Sequence, residues 1–436
     1  MLLTSTARVS AQFNIENVDT FKKKVFAWAA TSEVCCFLDS NSNSPGLFKT
    51  HDTLIGVGSE SQLFKSNNDA FEDLKNFYEK KKDWLFGFLS YDLKNEVEHL
   101  SSENHDQLDF PEMHFFQPTT VIEIKSREVK IHATDVSPYA VFQKIQNFEI
   151  NNVDPITRLS KLKNRISKSE YIATVKDIKN HIIEGDVYEM NFCQEFFAEN
   201  ISINPYAVFN ALNKLSKAPF SCFYKLKNKF LLCASPERYL KKTRNTLISQ
   251  PIKGTIRRGG DAKEDSLLKA QLLSSEKDQA ENVMIVDLVR NDLAKICEPG
   301  SVQVTELFGI YPFEQVFQMI STVKGNLKKD IHFVDAIRNT FPMGSMTGAP
   351  KVMAMRLIEQ YEKSKRGLYS GAVGYITPEG DFDFNVVIRS ILYNEEARYV
   401  SSQVGGAIVY DSIPEQEYEE CLLKAKAMLE VLGAVD

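Results

Sequence analysis

Residues 251–259 read Pro-Ile-Lys-Gly-Thr-Ile-Arg-Arg-Gly, with Lys253 set between an isoleucine and a glycine. Burial and nearby positive charge both lower a lysine pKa, so with Arg257 and Arg258 close in sequence the amine is expected to lose its proton. A neutral amine is a nucleophile that can form a covalent intermediate. A second chemistry is written in acids spaced for helices. Asp278 and Glu281 are three apart, as are Glu417 and Glu420, so each pair shares one helix face. Two such helices converging offer oxygen donors without histidine or thiolate, a set suited to Mg2+. The plain alternative is solvated acids on two surface helices.

Two further stretches carry candidate binding groups. Gly344-Ser345-Met346-Thr347-Gly348-Ala349-Pro350-Lys351 leads into a helical pattern over 352–361. Pro350 suits a first helical turn, and exposed N–H groups before a helix form an anion site. The stretch is not a P-loop, since Ala-Pro precedes Lys351 and valine follows it. A loop with a proline start accounts for it equally well. Arg389 lies among Val386, Val387, Ile388 and Ile391 in an apolar strand pattern and needs a carboxylate, either internal or from a substrate. A planar guanidinium binds a carboxylate through two parallel bonds. Gly405, Gly406 and Ala407 lie in another strand pattern, where glycine lets a ligand approach the backbone closely.

These groups need elements to hold them. Short apolar runs at Val34–Leu38, Leu54–Val57, Trp84–Tyr91 and Val121–Ile124 read as strands. A helix is expected over Asp69–Lys82, where Phe71, Leu74, Phe77 and Tyr78 repeat at helical spacing. Residues 150–166 are polar and form the best linker, dividing a region 1–150 from a catalytic region 165–434. Ser167 and Glu170 then form a capping box for a helix to Glu184 whose apolar face is Tyr171, Val175, Ile178 and Ile182. Strands are expected at 229–234, 247–252, 372–377, 384–393 and 399–410, and long helices at 264–294, 349–362 and 414–432. Strands and helices do not alternate regularly, which favours an α+β fold with mostly antiparallel sheet.

Composition bounds the function. The 436 residues are 43% hydrophobic and 25% charged, an ordinary soluble globular profile with ample core. A formal charge of −6 argues against nucleic acid or an anionic membrane as partner. The seven cysteines are odd in number and lack a C-x-x-C, which disfavours a disulfide framework or a zinc site. No apolar run approaches the ~20 residues of a membrane span, and the N-terminus lacks the pattern of a signal peptide. A cytoplasmic location is expected.

Taken together in order, these blocks resemble the chorismate-utilising enzymes, and among them the aminodeoxychorismate synthase component I branch. The matching blocks begin with Gly185-Asp186-Val187-Tyr188, Ser235-Pro236-Glu237-Arg238, Pro251-Ile252-Lys253-Gly254-Thr255 and Glu281-Asn282-Val283-Met284 with Arg290-Asn291-Asp292. They continue through Gly348-Ala349-Pro350-Lys351, Gly371-Ala372-Val373-Gly374-Tyr375, Val387-Ile388-Arg389-Ser390 and Glu417-Tyr418-Glu419-Glu420. Anthranilate synthase large subunits look like Pro-Ile-Ala-Gly-Thr where this chain has Lys253. Isochorismate and salicylate synthases carry a lysine at the position resembling Glu189.

The resemblance implies an anthranilate-synthase-component-I-like fold of interwoven antiparallel sheets. It implies that chorismate binds over Mg2+ held chiefly by Glu281 and Glu420, with Asp278 and Glu417 alongside. It also implies that Arg389, Tyr369 and Ser345 face the enolpyruvyl carboxylate, with backbone near Gly405, Gly406 and Ala407 on the ring carboxylate. Glu237 is then the general acid and Lys253 the nucleophile. The implied product is 4-amino-4-deoxychorismate, on the route to 4-aminobenzoate and folate. No glutaminase block is apparent, so a separate glutaminase subunit is expected to supply ammonia. Anthranilate synthesis, or a non-catalytic binding protein, are the alternatives. Phe37-Leu38-Asp39-Ser40 resembles a tryptophan-binding segment of related enzymes. Two positions depart from the pattern: Gln318 where relatives have histidine, and Glu189 where glutamine is common.

Overall fold

The computed structural model describes residues 8–41, 48–65, 69–150, 162–314 and 316–434. Among these residues two large antiparallel sheets pack face to face, one of 12 strands and one of 10. The regions before and after the 150–166 segment contribute strands to both. Val34–Asp39 pairs with Phe220–Leu226 in the first sheet, and Leu85–Leu89 pairs with Ala372–Ile376 in the second. Most of the segment read as a linker, residues 151–161, lies outside the described residues.

One apolar cluster fills the space between the sheets, joining Phe86, Phe88 and Phe115 to Tyr224, Leu231 and Phe384. A second covers the outer face of the first sheet, where helices lay down Phe21, Val25, Tyr171, Val175, Ile178, Phe209 and Met428. This is the expected α+β architecture. Among the described residues no helix is long and apolar enough to cross a membrane. All seven cysteines are buried free thiols.

Local chemistry sets the boundaries that matter for the site. Ser167 and Glu170 form the capping box of the helix Lys168–Glu184. The helix expected over 264–294 is two helices, Ala262–Leu273 and Glu276–Ile296. Ser275 caps the second by accepting from the N–H of Asp278, which restarts the helix and places Asp278 in its first turn. The strand expected over 247–252 breaks at Pro251, which has no N–H to give a ladder. Thr246–Gln250 and Ile252–Arg257 then pair in succession along Val316–Asn326.

The register of that pairing shifts between Ile252 and Thr255, so Lys253 and Gly254 occupy a bulge. Bulges re-aim side chains. Gly254 takes a φ of 91°, and a Cβ there would come within 3.1 Å of Asp278. The expected strand 384–393 is also two strands: Phe382–Val386 in the second sheet and Ser390–Asn394 in the first. Residues 387–389 cross between sheets, and Arg389 sits at the crossing with a φ of 49°.

Candidate active site

Lys253 is 9% exposed, and its Nζ lies 2.5 Å from Oε1 of Glu189, which is 1% exposed. Burial pulls the lysine pKa down, but the charges of Glu189, Glu281 and Glu237 more than offset it, so the pKa stands above its ordinary value. The resting group is therefore an ammonium ion, which corrects the expectation of a neutral amine. That expectation relied on Arg257 and Arg258, and both turn elsewhere. Arg257 pairs with Glu264 at 2.5 Å, and Arg258 holds Asp265 through Nε at 3.1 Å.

Glu237 is buried in the turn between the strands Lys229–Ser235 and Arg238–Thr243, its N–H donating to Ser235 Oγ at 3.2 Å. Burial pushes its carboxyl up to about 7, against opposing pulls from Ser345, Lys253 and the N–H of Ile252. Ser345 is buried beside this carboxyl, although its hydroxyl reaches no well-formed hydrogen bond. A carboxyl with a pKa near neutrality can hold and release a proton there.

The two acidic pairs come from the start of Glu276–Ile296 and of Pro414–Val431, and they converge. Glu417 is buried and accepts from Ser412 at 2.7 Å. Lys277 stands among them, 3.9 Å from Glu281 and 3.5 Å from Glu417. Lys424 pairs with Glu420 at 2.7 Å and donates to the carbonyl of Gly405 at 3.0 Å. Burial, and the charges of Glu189 and Asp278, hold the Glu281 carboxyl up at about 7 against the opposing pulls of Lys253 and Lys277. Glu420 is held below its usual range by Lys424.

The strand Tyr399–Ile408 brings Gly405, Gly406 and Ala407 beside these acids. A Cβ built on Gly406 would stand 3.6 Å from Glu417 Oε2 and 3.8 Å from Glu420 Oε1. This bare backbone, the hard-oxygen donors and the surplus negative charge fit a small divalent cation. Glu281, Glu420, Asp278 and Glu417 do not form a closed ligand cage in this state. The described group whose ligand atoms all lie within 4.8 Å is instead His181, Glu184 and Asp186. In that group both imidazole nitrogens are engaged, by Asp186 at 2.7 Å and the Tyr361 hydroxyl at 2.9 Å.

Arg389 makes no ion pair or side-chain hydrogen bond with any described residue. Burial alone lowers its pKa. Arg389 is half-buried, and a partly desolvated guanidinium without a counter-ion favours an incoming carboxylate. Its own carbonyl accepts from the N–H of Ala234, which ties it to the Ser235–Glu237 turn. The buried Tyr369 hydroxyl contacts Cys193 Sγ at 3.4 Å, and the next residue, Ser370, donates its N–H to the carbonyl of Val387. Cys193 in turn contacts Asn191, which sits opposite Ala407 in the sheet.

Around this set lie residues the sequence did not single out. Arg366 is buried, clamps Glu362 and donates to the carbonyls of Met346 and Asn191, fixing the Ser345 turn to the sheet. The i,i+4 spacings Glu362–Arg366 and Glu420–Lys424 were visible signals for both partners. Lys351 is turned inward onto Asp292 at 2.8 Å and the Thr340 carbonyl at 3.2 Å, so its charge is not offered to an anion. Gly348-Ala349 forms a strand edge instead, paired with Glu189-Met190. Gln318 is buried opposite Thr255, close to the bulge, and its Oε1 has no hydrogen-bond partner among the described residues. Leu38, Asp39 and Ser40 line a separate cavity of about 80 Å3, with Asp39 paired to Lys22 at 2.5 Å. A cavity of about 650 Å3 lined by His51, Trp84, His132 and Tyr375 likewise does not include Lys253.

The chain belongs to the chorismate binding enzyme family, whose sequence profile matches residues 33–430. It is similar to an aminodeoxychorismate synthase of Arabidopsis thaliana, 43% identical over 60% of this chain, although the chain spans only 28% of that relative's length. It is also similar to an anthranilate synthase component 1 of Saccharolobus solfataricus, 34% identical over 89% of this chain and 88% of that one. The structure of anthranilate synthase component I from Streptococcus pneumoniae superposes with a TM-score of 0.74 at 27% identity, covering 89% of this chain and 96% of that one.

Proposed function

We propose that the chain catalyses the 4-amination of chorismate, joining chorismate and ammonia into 4-amino-4-deoxychorismate and water. The observation that carries this reading is a buried lysine flanked by Glu189, Glu237 and Glu281. In the proposed mechanism Arg389, with Tyr369 nearby, takes the enolpyruvyl carboxylate, and the bare backbone at Gly405, Gly406 and Ala407 receives the ring carboxylate. Glu281 and Glu420, with Asp278 and Glu417 alongside, would hold Mg2+, which supplies positive charge for the ring carboxylate. Lys253 attacks ring carbon 2 as a free amine. Electrons shift round the two ring double bonds, and the 4-hydroxyl leaves as water on a proton from Glu237. Ammonia then adds at carbon 4 and expels the lysine. A separate glutaminase subunit is the proposed source of ammonia. Gln318 in place of histidine accords with a product that keeps its enolpyruvyl group.

The test is product identification by mass spectrometry after incubation with chorismate, Mg2+ and ammonium at alkaline pH, with and without a glutaminase. The expected product is 4-amino-4-deoxychorismate in both arms. Anthranilate fluorescence without any added lyase would sink the reading in favour of anthranilate synthesis. Glu420→Gln removes one charge from the proposed cation site and is expected to raise the Mg2+ concentration for half-maximal thermal stabilisation by at least about tenfold. An unchanged titration would remove Glu420 from the ligand set.

A further inference from the structure

We infer that Glu189 is the group that takes the proton from Lys253 when the lysine attacks and returns it when the lysine is expelled. This rests on the nucleophile reading above and adds to it the fate of the proton. Two other buried acids that serve as structural ties in this fold use both oxygens. Glu195 accepts from Arg165, Ser364, Tyr399 and Ser401, and Glu362 accepts from Arg366 at both oxygens and from the N–H of Cys193. Glu189 is different. Among the described residues its Oε1 meets Lys253 alone, and its Oε2 is buried without a hydrogen-bond partner. A carboxylate with a vacant oxygen against an ammonium ion is built to receive a proton.

The backbone holds that carboxylate in place. Glu189 pairs with Ala349 at the start of its strand, and the N–H of Tyr188 donates to the Ala349 carbonyl at 2.7 Å. Gly348, with a φ of 148°, packs so tightly that a Cβ would lie 2.1 Å from the Glu189 carbonyl oxygen. Facing Lys253 from the other elements are Glu237 on the 235–237 turn and Glu281 on the helix Glu276–Ile296, while Glu420 of the last helix also feels its charge. Asp278 and Lys277 stand next to Glu281. Glu237 has to begin protonated in order to release water, so it cannot also accept the lysine proton.

The step balances. The Lys253 ammonium passes one proton to Glu189, giving a free amine and a neutral carboxyl. The amine forms its bond to carbon 2 while the bond from carbon 4 to oxygen breaks, and that oxygen leaves with the Glu237 proton. When ammonia bonds to carbon 4, the bond from carbon 2 to nitrogen breaks towards lysine. The freed amine recovers the Glu189 proton, and Glu237 recovers its own from solvent.

The experiment follows formation of the chorismate adduct by intact-protein mass spectrometry, without ammonia, in wild type, Glu189→Gln and Glu189→Asp. In Glu189→Gln that acceptor is gone, Glu237 begins protonated and Glu281 is committed to the proposed cation site, so the lysine proton passes to solvent. The ratio of its rate to wild type is therefore expected to rise by about tenfold per pH unit from about pH 7 to 9. The titration of Glu237, common to both proteins, cancels in that ratio. Glu189→Asp keeps a carboxylate and is expected to restore a nearly pH-independent ratio at a lower rate. A constant ratio near one for Glu189→Gln would overturn the inference. A second readout needs no chorismate: labelling of Lys253 by acetic anhydride near neutral pH, scored by peptide mass. Loss of the carboxylate is expected to speed labelling several-fold, and equal labelling would overturn the inference. If wild type itself forms no adduct while labelling still responds to Glu189→Gln, the nucleophile reading fails and the proton-sharing pair stands.

Discussion

Lys253→Ala is expected to eliminate the covalent chorismate adduct and to lower the amination rate by at least about 10³-fold, as removal of a nucleophile does when the rest of the site is intact. The expectation follows from placement. The amine sits in a strand bulge, buried, in contact with Glu189 and within the field of Glu237 and Glu281. The variant also leaves Glu189 as a buried acid without its cation, and breaking such a pair costs about 3–5 kcal/mol unless the acid takes up a proton. The double variant Lys253→Ala with Glu189→Gln removes that strain and serves as the control. If both lose the adduct and the double variant melts near wild type, the loss is chemical. An adduct of full yield in either variant would refute the nucleophile.

Most of the fold could be read from pattern. Short alternating runs gave the strands, and the Ser167–Glu170 capping box gave a helix start that the structure reproduces. What pattern could not supply was where one periodic run becomes two elements. The strands expected over 247–252 and 384–393 each run into a break that only the pairing partners reveal. Those two breaks carry Lys253 and Arg389. Local sequence describes a strand well until tertiary packing requires it to bulge or change sheets, and in this chain candidate site residues sit at both such places.

Charge was harder to read than shape. Proximity along the chain suggested that Arg257 and Arg258 would depress the Lys253 pKa, whereas in space the lysine faces three acids drawn from distant segments. Acids read as one four-residue set are likewise interleaved with Lys277 and Lys424. Electrostatic neighbours are set by the fold: the bulge at Lys253 and Gly254 turns the lysine inward while Arg257, four residues on, stays exposed. Adjacent sequence is therefore a poor guide to them.

Glu237→Gln is expected to lower the amination rate by about 10²–10⁴-fold, the usual contribution of a positioned general acid. Glutamine keeps the shape and can still accept from the N–H of Ile252 and meet Ser345, so the fold has little reason to respond. The pH dependence supplies the sharper test. An acid catalyst acts in its protonated form, so activity should fall as pH rises through about 7, the value to which burial pushes this carboxyl. A solvated glutamate with a pKa of about 4.3 would be less than about 1% protonated at neutral pH, whereas Glu237 is roughly half protonated there. Glu281 has a similar value, held up by burial and neighbouring charge, but cation binding should draw its pKa down and move its titration out of this range. With Mg2+ saturating, the falling limb near pH 7 is therefore expected in wild type and absent in Glu237→Gln. A limb that survives the substitution would assign the proton to another group and leave Glu237 as a wall of the pocket.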